Sequence, residues 1–276
     1  MPQQQDKNVP DFEYQKLSHQ GDRDYNEDFC SHMAVENEYF YVLADGMGGH
    51  KGGAEASRAF CEAAVDYFIE SCKQTFESPQ LRLQTIIQHS QKSMAEQLSA
   101  NPELDGHTTC VIALLTQDAL YCAHVGDSRL YVIDADQVIW KTRDHSLAQL
   151  MVAQGDLSEE EAAHDKSQSV LLKSINCKTP PEPSFKALPP LAPSQAIILC
   201  SDGFWTFLTD AEICSLINTD DLKERLQELV STSIERANNK ADNTTVQVIR
   251  NNEKEKHSIA GLLNAIKDKL TPRRLG

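Results

Sequence analysis

The sequence predicts an α+β fold built mainly from antiparallel strands. Three observations carry this. Apolar runs of strand length, rich in β-branched and aromatic residues, recur along most of the chain. Several gaps between them are too short for a crossover helix. Segments of helical period, two of them ahead of the central strands, interrupt the series.

Taken in order, Gly21–Asp28 (GDRDYNED) is a polar turn between two strand ends, and Glu38–Ala44 (EYFYVLA) is a strand. A helix starts near Gly53, with Ala59, Phe60, Ala63, Ala64, Tyr67 and Phe68 on one face. Leu83, Ile86, Ile87, Ser90, Met94 and Leu98 mark a second. Thr108–Leu115, Ala119–Val125 and Arg129–Ile133 follow so closely, up to Trp140, that they are expected to form one antiparallel meander. Ser158-x-x-Glu161 and Thr209-x-x-Glu212 read as capping boxes at helix starts. Thr179–Pro193 holds six of the eleven prolines and is expected to be extended or looped. Gln195–Cys200 is a further strand, Asp221–Ala237 a long helix, and Thr244–Ile249 the strand that ends the core. Beyond it, residues 251–276 carry three acidic and six basic side chains, with Ile259, Leu262, Leu263, Ile266 and Leu270 at amphipathic spacing. This tail reads as an appended helix that packs back on the domain or meets a partner or membrane surface.

The chain has 276 residues and 40 % hydrophobic side chains, enough for a sizeable core, so wholesale disorder is excluded. Forty-one acidic against 26 basic residues give a net charge of −15, which argues against a general nucleic-acid binder. Eight cysteines stand singly, without a C-x-x-C pair, several inside apolar runs where a thiol acts as a small hydrophobe. No signal-peptide pattern opens the sequence, and no apolar run approaches the ~20 residues of a membrane span. The expectation is a cytoplasmic protein with reduced thiols.

The aspartates are the most informative residues. Asp45 follows VLA, Asp127 follows HVG and Asp202 follows ILCS, each at a strand end, while Asp242 stands just before TTVQVI. Three of the four adjoin a glycine, which lets backbone approach a ligand closely. Any one Asp-Gly pair alone reads as a turn. Together at one sheet edge, four carboxylates would repel one another unless cations neutralised them. All-oxygen ligands select Mg²⁺ or Mn²⁺, and two such ions can activate a water toward phosphorus.

Two loops complete the pattern. Arg23 in GDRDYNED carries a guanidinium suited to a phosphate, although it could equally pair with its acidic neighbours. The glycine-rich loop Asp45–Gly53 (DGMGGHKGG) fits neither the P-loop nor the dinucleotide fingerprint, and its His50 is a candidate general acid or an ordinary loop residue.

In order along the chain, RDYNED, VLADGMGGH, TTCVIALL, HVGDSRLYVI, TRDHS, ILCSDGFW and ADNTTVQVI resemble the metal-dependent type 2C serine/threonine protein phosphatases, particularly the bacterial ones. The resemblance spans roughly Glu13 to Arg250. It implies a four-layer α-β-β-α sandwich of two antiparallel sheets flanked by helices, with a binuclear Mn²⁺ or Mg²⁺ centre at one end. Residues 1–12 would be an N-terminal extension, 13–250 the catalytic domain with a flap at about 146–180, and 251–276 the basic tail. Carried over by motif, Asp45 would bridge both metals and the Gly46 carbonyl would complete one. Asp202 and Asp242 would hold the other, and Glu27 and Asp28 would act mainly through metal-bound waters. Asp127 would join Asp202 at the third metal of bacterial members. Arg23 would grip the substrate phosphate, and His50 matches the position proposed as general acid. A metal-bridging hydroxide would attack phosphorus directly. The implied substrates are phosphoproteins, including a serine/threonine kinase and its targets, and the chain is expected to be a monomer.

There are departures. His107 stands in Gly106-His107-Thr108-Thr109 where the family has glycine, Asn176 replaces a glycine, and Ser194-Gln195 replaces glycine-aspartate. None removes a proposed ligand. A catalytically impaired binding module would be expected to lack one of the carboxylates, and all are present. A GDS-type serine esterase, suggested by Gly126-Asp127-Ser128, lacks its late D-x-x-H partner.

Overall fold

The computed structural model describes residues 12–48, 52–99, 106–163 and 165–251. The chain opens with β1 (Phe12–His19), β2 (Asp28–Val35) and β3 (Glu38–Met47), followed by α1 (Gly52–Ser71) and α2 (Pro79–Ser99). Then come β4 (His107–Thr108), β5 (Cys110–Leu115), β6 (Leu120–Val125), β7 (Arg129–Ile133) and β8 (Val138–Lys141). Short helices α3 (Leu147–Gln154) and α4 (Glu159–Ala162) precede β9 (Ser184–Leu188) and β10 (Ala196–Cys200). Helices α5 (Asp202–Trp205), α6 (Asp210–Cys214) and α7 (Leu222–Arg236) lead to β11 (Thr244–Asn251).

The strands form two antiparallel sheets, one in the order β1-β11-β10-β7-β8 and the other β2-β3-β5-β6-β9, with β4 on β3. Both faces of each sheet are covered, so the central strands read as continuous apolar runs rather than alternating ones. In β3, Phe40, Val42 and Ala44 pack toward α1 and α2, while Tyr41 and Leu43 enter the layer between the sheets. In β10, Ile198 and Cys200 face α5–α7, while Ile197 and Leu199 face the other sheet. This gives the expected four-layer sandwich. One polar side chain is built into its middle: fully buried Gln247 donates to the Val42 carbonyl across the layer (2.9 Å) and accepts from the Tyr14 hydroxyl (2.9 Å).

Both capping boxes form, at Ser158/Glu161 and Thr209/Glu212, and Asp221 caps α7. One expectation needs correction. The strands between Thr108 and Trp140 are two hairpins in different sheets, not one meander: β5–β6 lies in one and β7–β8 in the other. The chain changes sheets at Gly126, whose φ of +101° suits glycine, and a Cβ there would lie 2.6 Å from the Thr109 methyl. The proline-rich segment is extended in part, as expected: it contains β9, which fits between its prolines because it is an edge strand that, among the described residues, pairs only with β6.

Two of the sequence departures have local explanations. Asn176 closes its own turn, its Oδ1 accepting from the backbone of Lys178 and Thr179 (2.8 and 2.9 Å). Ser194 has φ +67°, a region where glycine is favoured. Ser194→Gly should therefore raise stability by about 0.5 kcal/mol, a melting-temperature gain of roughly 1–2 °C. A lower melting temperature would show that the serine turn carries no strain.

Candidate metal centre

The predicted carboxylates converge because of strand direction. β3, β6 and β10 end, and β2, β7 and β11 begin, at the same end of the sandwich. Asp28 and Asp45 are direct cross-strand partners of β2 and β3. Asp202 opens α5 just after β10, Asp127 lies in the β6–β7 switch, and Asp242 precedes β11. Like charges placed opposite one another in a sheet are destabilising, so this pairing opposes folding unless something positive is added.

The backbone around Asp45 is clamped. Its N–H donates to Thr109 Oγ1 (3.0 Å), and its carbonyl accepts from the Thr109 N–H (2.8 Å) and Thr108 Oγ1 (2.9 Å). Gly46 N–H donates to the Glu27 carbonyl (3.1 Å), which also accepts from Ser57 of α1 (2.5 Å). A Cβ on Gly46 would stand 2.2 Å from the Gly53 carbonyl oxygen. Glycine here admits the neighbouring backbone of α1.

Other residues, which the sequence did not reveal as site residues, hold the carboxylates in place. Buried Ser201 donates to Asp28 Oδ2 (2.7 Å) and accepts from the Thr245 N–H (2.9 Å), tying one sheet to the other. Asn243 accepts from the Glu27 N–H (2.7 Å) and donates to the carbonyls of Gln20 (2.7 Å) and Tyr25 (2.9 Å), which pins the GDRDYNED turn to β11. Trp205 Nε1–H donates to the Asp127 carbonyl (3.1 Å), and its ring is covered by the Arg129 guanidinium. Arg129 in turn forms two hydrogen bonds to Asp144 (2.8 and 2.7 Å). Arg129, Asp144 and Trp205 lie inside HVGDSRLYVI, TRDHS and ILCSDGFW, but nothing short of the fold says that they meet.

Burial and mutual repulsion hold the carboxyls away from their usual ionisation. Burial pushes Asp28 up to about 7, against the lowering effect of the Ser201 hydrogen bond, with Asp202 and Asp242 adding to the rise. Burial, then Asp242, pushes Asp202 up to about 6. Asp45 lies well above the carboxylate range through burial and then Asp28, Asp202, Asp127 and Asp242. Asp127 does so through burial and then Asp202 and Asp144. Oδ1 of Asp28 and Oδ1 of Asp202 are buried without a hydrogen-bond partner.

Arg23 is on the exposed turn, and its guanidinium meets Asp242 at 2.5 Å, with the two side chains 57 % and 37 % exposed. As the side chains stand, no three of His, Cys, Asp or Glu among the described residues close into a ready ligand set. Arg23 occupies Asp242, and Ser201 occupies one oxygen of Asp28. The donors nevertheless fit a hard divalent cation: they are oxygen atoms, buried, crowded and short of counter-charge. His50, the candidate general acid, lies outside the described residues, as does the tail beyond Asn251.

Carboxylates are gathered, buried or half-buried, at one end of a two-sheet sandwich, where a cation would offset their mutual repulsion and could activate a water. The sequence model of Protein phosphatase 2C matches residues 17–249. A serine/threonine phosphatase stp of Listeria innocua is 31 % identical over 223 residues, covering 78 % of this chain and 85 % of that one. The solved serine/threonine phosphatase Stp1 of Staphylococcus aureus superposes with a TM-score of 0.77 at 26 % identity, covering 91 % and 99 % of the two chains. The Mycobacterium tuberculosis phosphatase PstP/Ppp gives 0.74 at 26 % identity, covering 87 % and 98 %. The chain belongs to the protein phosphatase 2C family. It is thus a bacterial-type serine/threonine protein phosphatase, of a family that uses Mn²⁺ or Mg²⁺, and its substrates are phosphoproteins. No helix among the described residues is long and apolar enough to cross a membrane.

Proposed function

We propose that the chain removes phosphate from phosphoserine and phosphothreonine, using two Mn²⁺ or Mg²⁺ ions held by Asp45, the Gly46 carbonyl, Asp202 and Asp242. Glu27 and Asp28 act mainly through water, and Asp127 with Asp202 takes a third ion. The observation that carries this reading is the convergence of Asp28, Asp45, Asp127 and Asp202 at one end of the two sheets, with Oδ1 of Asp28 and of Asp202 buried and lacking a hydrogen-bond partner; burial and mutual repulsion raise the pKa of all four. When bound, the cations supply an activated water and offset the carboxylate charge.

The protein's own residues do the rest. The backbone of Asp45 is fixed by its hydrogen bonds, so the point from which its carboxylate projects stays in place. Asn243 holds the turn that bears Arg23. The Arg23–Asp242 pair is exposed and so worth little, which lets the guanidinium exchange a carboxylate for a phosphate at small cost. His50 remains the sequence-based candidate for protonating the leaving group.

The wider reading is a monomeric cytoplasmic enzyme whose catalytic domain is 13–250, with a flap at 146–180, an extension at 1–12 and a tail at 251–276. It would oppose a serine/threonine kinase and act on that kinase and its targets; the bacterial serine/threonine phosphatases among its relatives support this.

Purified protein with Mn²⁺ should hydrolyse a phosphothreonine peptide and stop when EDTA is added. Arg23→Ala should raise KM by about ten-fold or more, with a smaller change in kcat. Hydrolysis that persists in EDTA would refute the metal-dependent reading.

A further inference from the structure

The two sheets each present an unpaired edge on the side opposite β1 and β2, namely β8 and β9. Between them lies a groove of about 660 Å³, bounded by Trp140 and Lys141 of β8, Phe185 and Lys186 of β9, and Leu150 of α3. A second cavity of about 460 Å³ shares Arg143, Asp144 and Gln149 with it. The groove reaches the metal end of the molecule. His145, in its wall, donates its N–H to the Gly126 carbonyl (2.9 Å) and accepts from the Gly126 N–H through Nδ1 (3.2 Å), next to Asp127. His145 Nε2 also meets Ser184 Oγ of β9 (2.8 Å), which joins the two walls.

In a chain of net charge −15, this groove is basic. Lys141, Arg143, Lys173 and Lys186 line it, and the one carboxylate in its wall, Asp144, is already taken by Arg129. Lys141 and Lys173 have only long, exposed ion pairs, to Asp210 (3.2 Å) and Glu182 (3.4 Å). Arg143 and Lys186 are exposed and make no ion pair among the described residues. Leu150 and Leu172, 41 % and 50 % exposed, add apolar surface at the rim.

We propose that this groove binds the segment of the phosphoprotein that flanks the phosphorylated residue, and that it selects segments bearing acidic side chains. The inference rests on the phosphatase reading for what delivers the segment, but the preference is a property of the groove. A long polyanion is a poor occupant because the chain as a whole, at a net charge of −15, repels it. A short acidic run, placed between the two edge strands, meets Arg143 and Lys186, which make no ion pair among the described residues, and Lys141 and Lys173, whose exposed pairs with Asp210 and Glu182 are cheap to exchange.

The test uses the full chain with Mg²⁺ and fluorescein-labelled peptides without phosphate, identical except for Glu or Gln at the flanking positions. Anisotropy should show the Glu peptide binding about ten-fold tighter at low salt, with the difference shrinking as salt rises. Arg143→Gln/Lys186→Gln should cut the preference to about two-fold or less. Phosphothreonine versions should show the same ratio in kcat/KM. Equal binding of the two peptides, or a preference that survives the double substitution, overturns the proposal. Failure to hydrolyse the phosphopeptides while the binding preference persists would remove the phosphatase reading and leave the groove assignment standing.

Discussion

Asp45→Asn is expected to lower phosphopeptide hydrolysis by about a thousand-fold or more while leaving the fold intact. Asparagine keeps the shape, and the bonds that fix this position use its backbone, not its carboxylate: the N–H to Thr109, and the carbonyl to Thr108 and Thr109. What is lost is the negative charge that faces Asp28 across the β2–β3 pair. That charge opposes folding in the absence of cation, so the metal-free variant should melt no lower than the parent and should melt higher above neutral pH. The same substitution should abolish most of the melting-temperature gain that Mn²⁺ gives the parent. Two readouts thus move in opposite directions, as simple misfolding could not produce. Full activity in the variant would overturn the metal assignment.

The second large effect is on the pH dependence of stability. Asp28 and Asp202 ionise near 7 and 6 in the folded protein, and Asp45 and Asp127 also lie well above the ordinary range. Unfolded, all four return to about 4. Between these values the native state binds protons that the unfolded state has released, so stability falls as pH rises from about 4 to about 7. Metal-free protein should therefore lose on the order of 5–10 °C in melting temperature between pH 5.5 and pH 8. Divalent cation reverses the slope, because ligands must be deprotonated to bind it. The stabilisation by Mn²⁺ should be small at pH 5.5 and several-fold larger at pH 8. A metal-free melting temperature that rises over this interval would mean that the carboxylates are not crowded as described.

The carboxylates were legible in the sequence because a strand end is a local feature: an apolar run, then Asp, often beside Gly. Which sheet a strand joins is not local. β6 and β7 are separated by Gly126-Asp127-Ser128, a link that a tight hairpin could equally have used, and only packing decides that the chain crosses between layers. β9 was hidden because six prolines around it suppress the strand signal, although edge position makes them tolerable. The supporting shell was the least visible. Asn243 serves a residue 216 positions away, and Ser201 one 173 positions away. No spacing rule reaches that far. The family resemblance supplied the sandwich, which the structure shows, and a set of proposed ligands, but not the hydrogen bonds that surround them.

The pairing of β1 with β11 also constrains the order of events during synthesis. β1 is an edge strand, and among the described residues its only sheet neighbour is β11, running from Phe12 opposite Asn251 to His19 opposite Thr244. Contacts this distant in sequence close late. Arg23 and Asp242, which meet across the same junction, cannot be brought together until nearly the whole domain has been made. A nascent or truncated chain lacking β11 therefore cannot assemble this junction, and the proposed phosphate grip of Arg23 would be absent until synthesis is nearly complete.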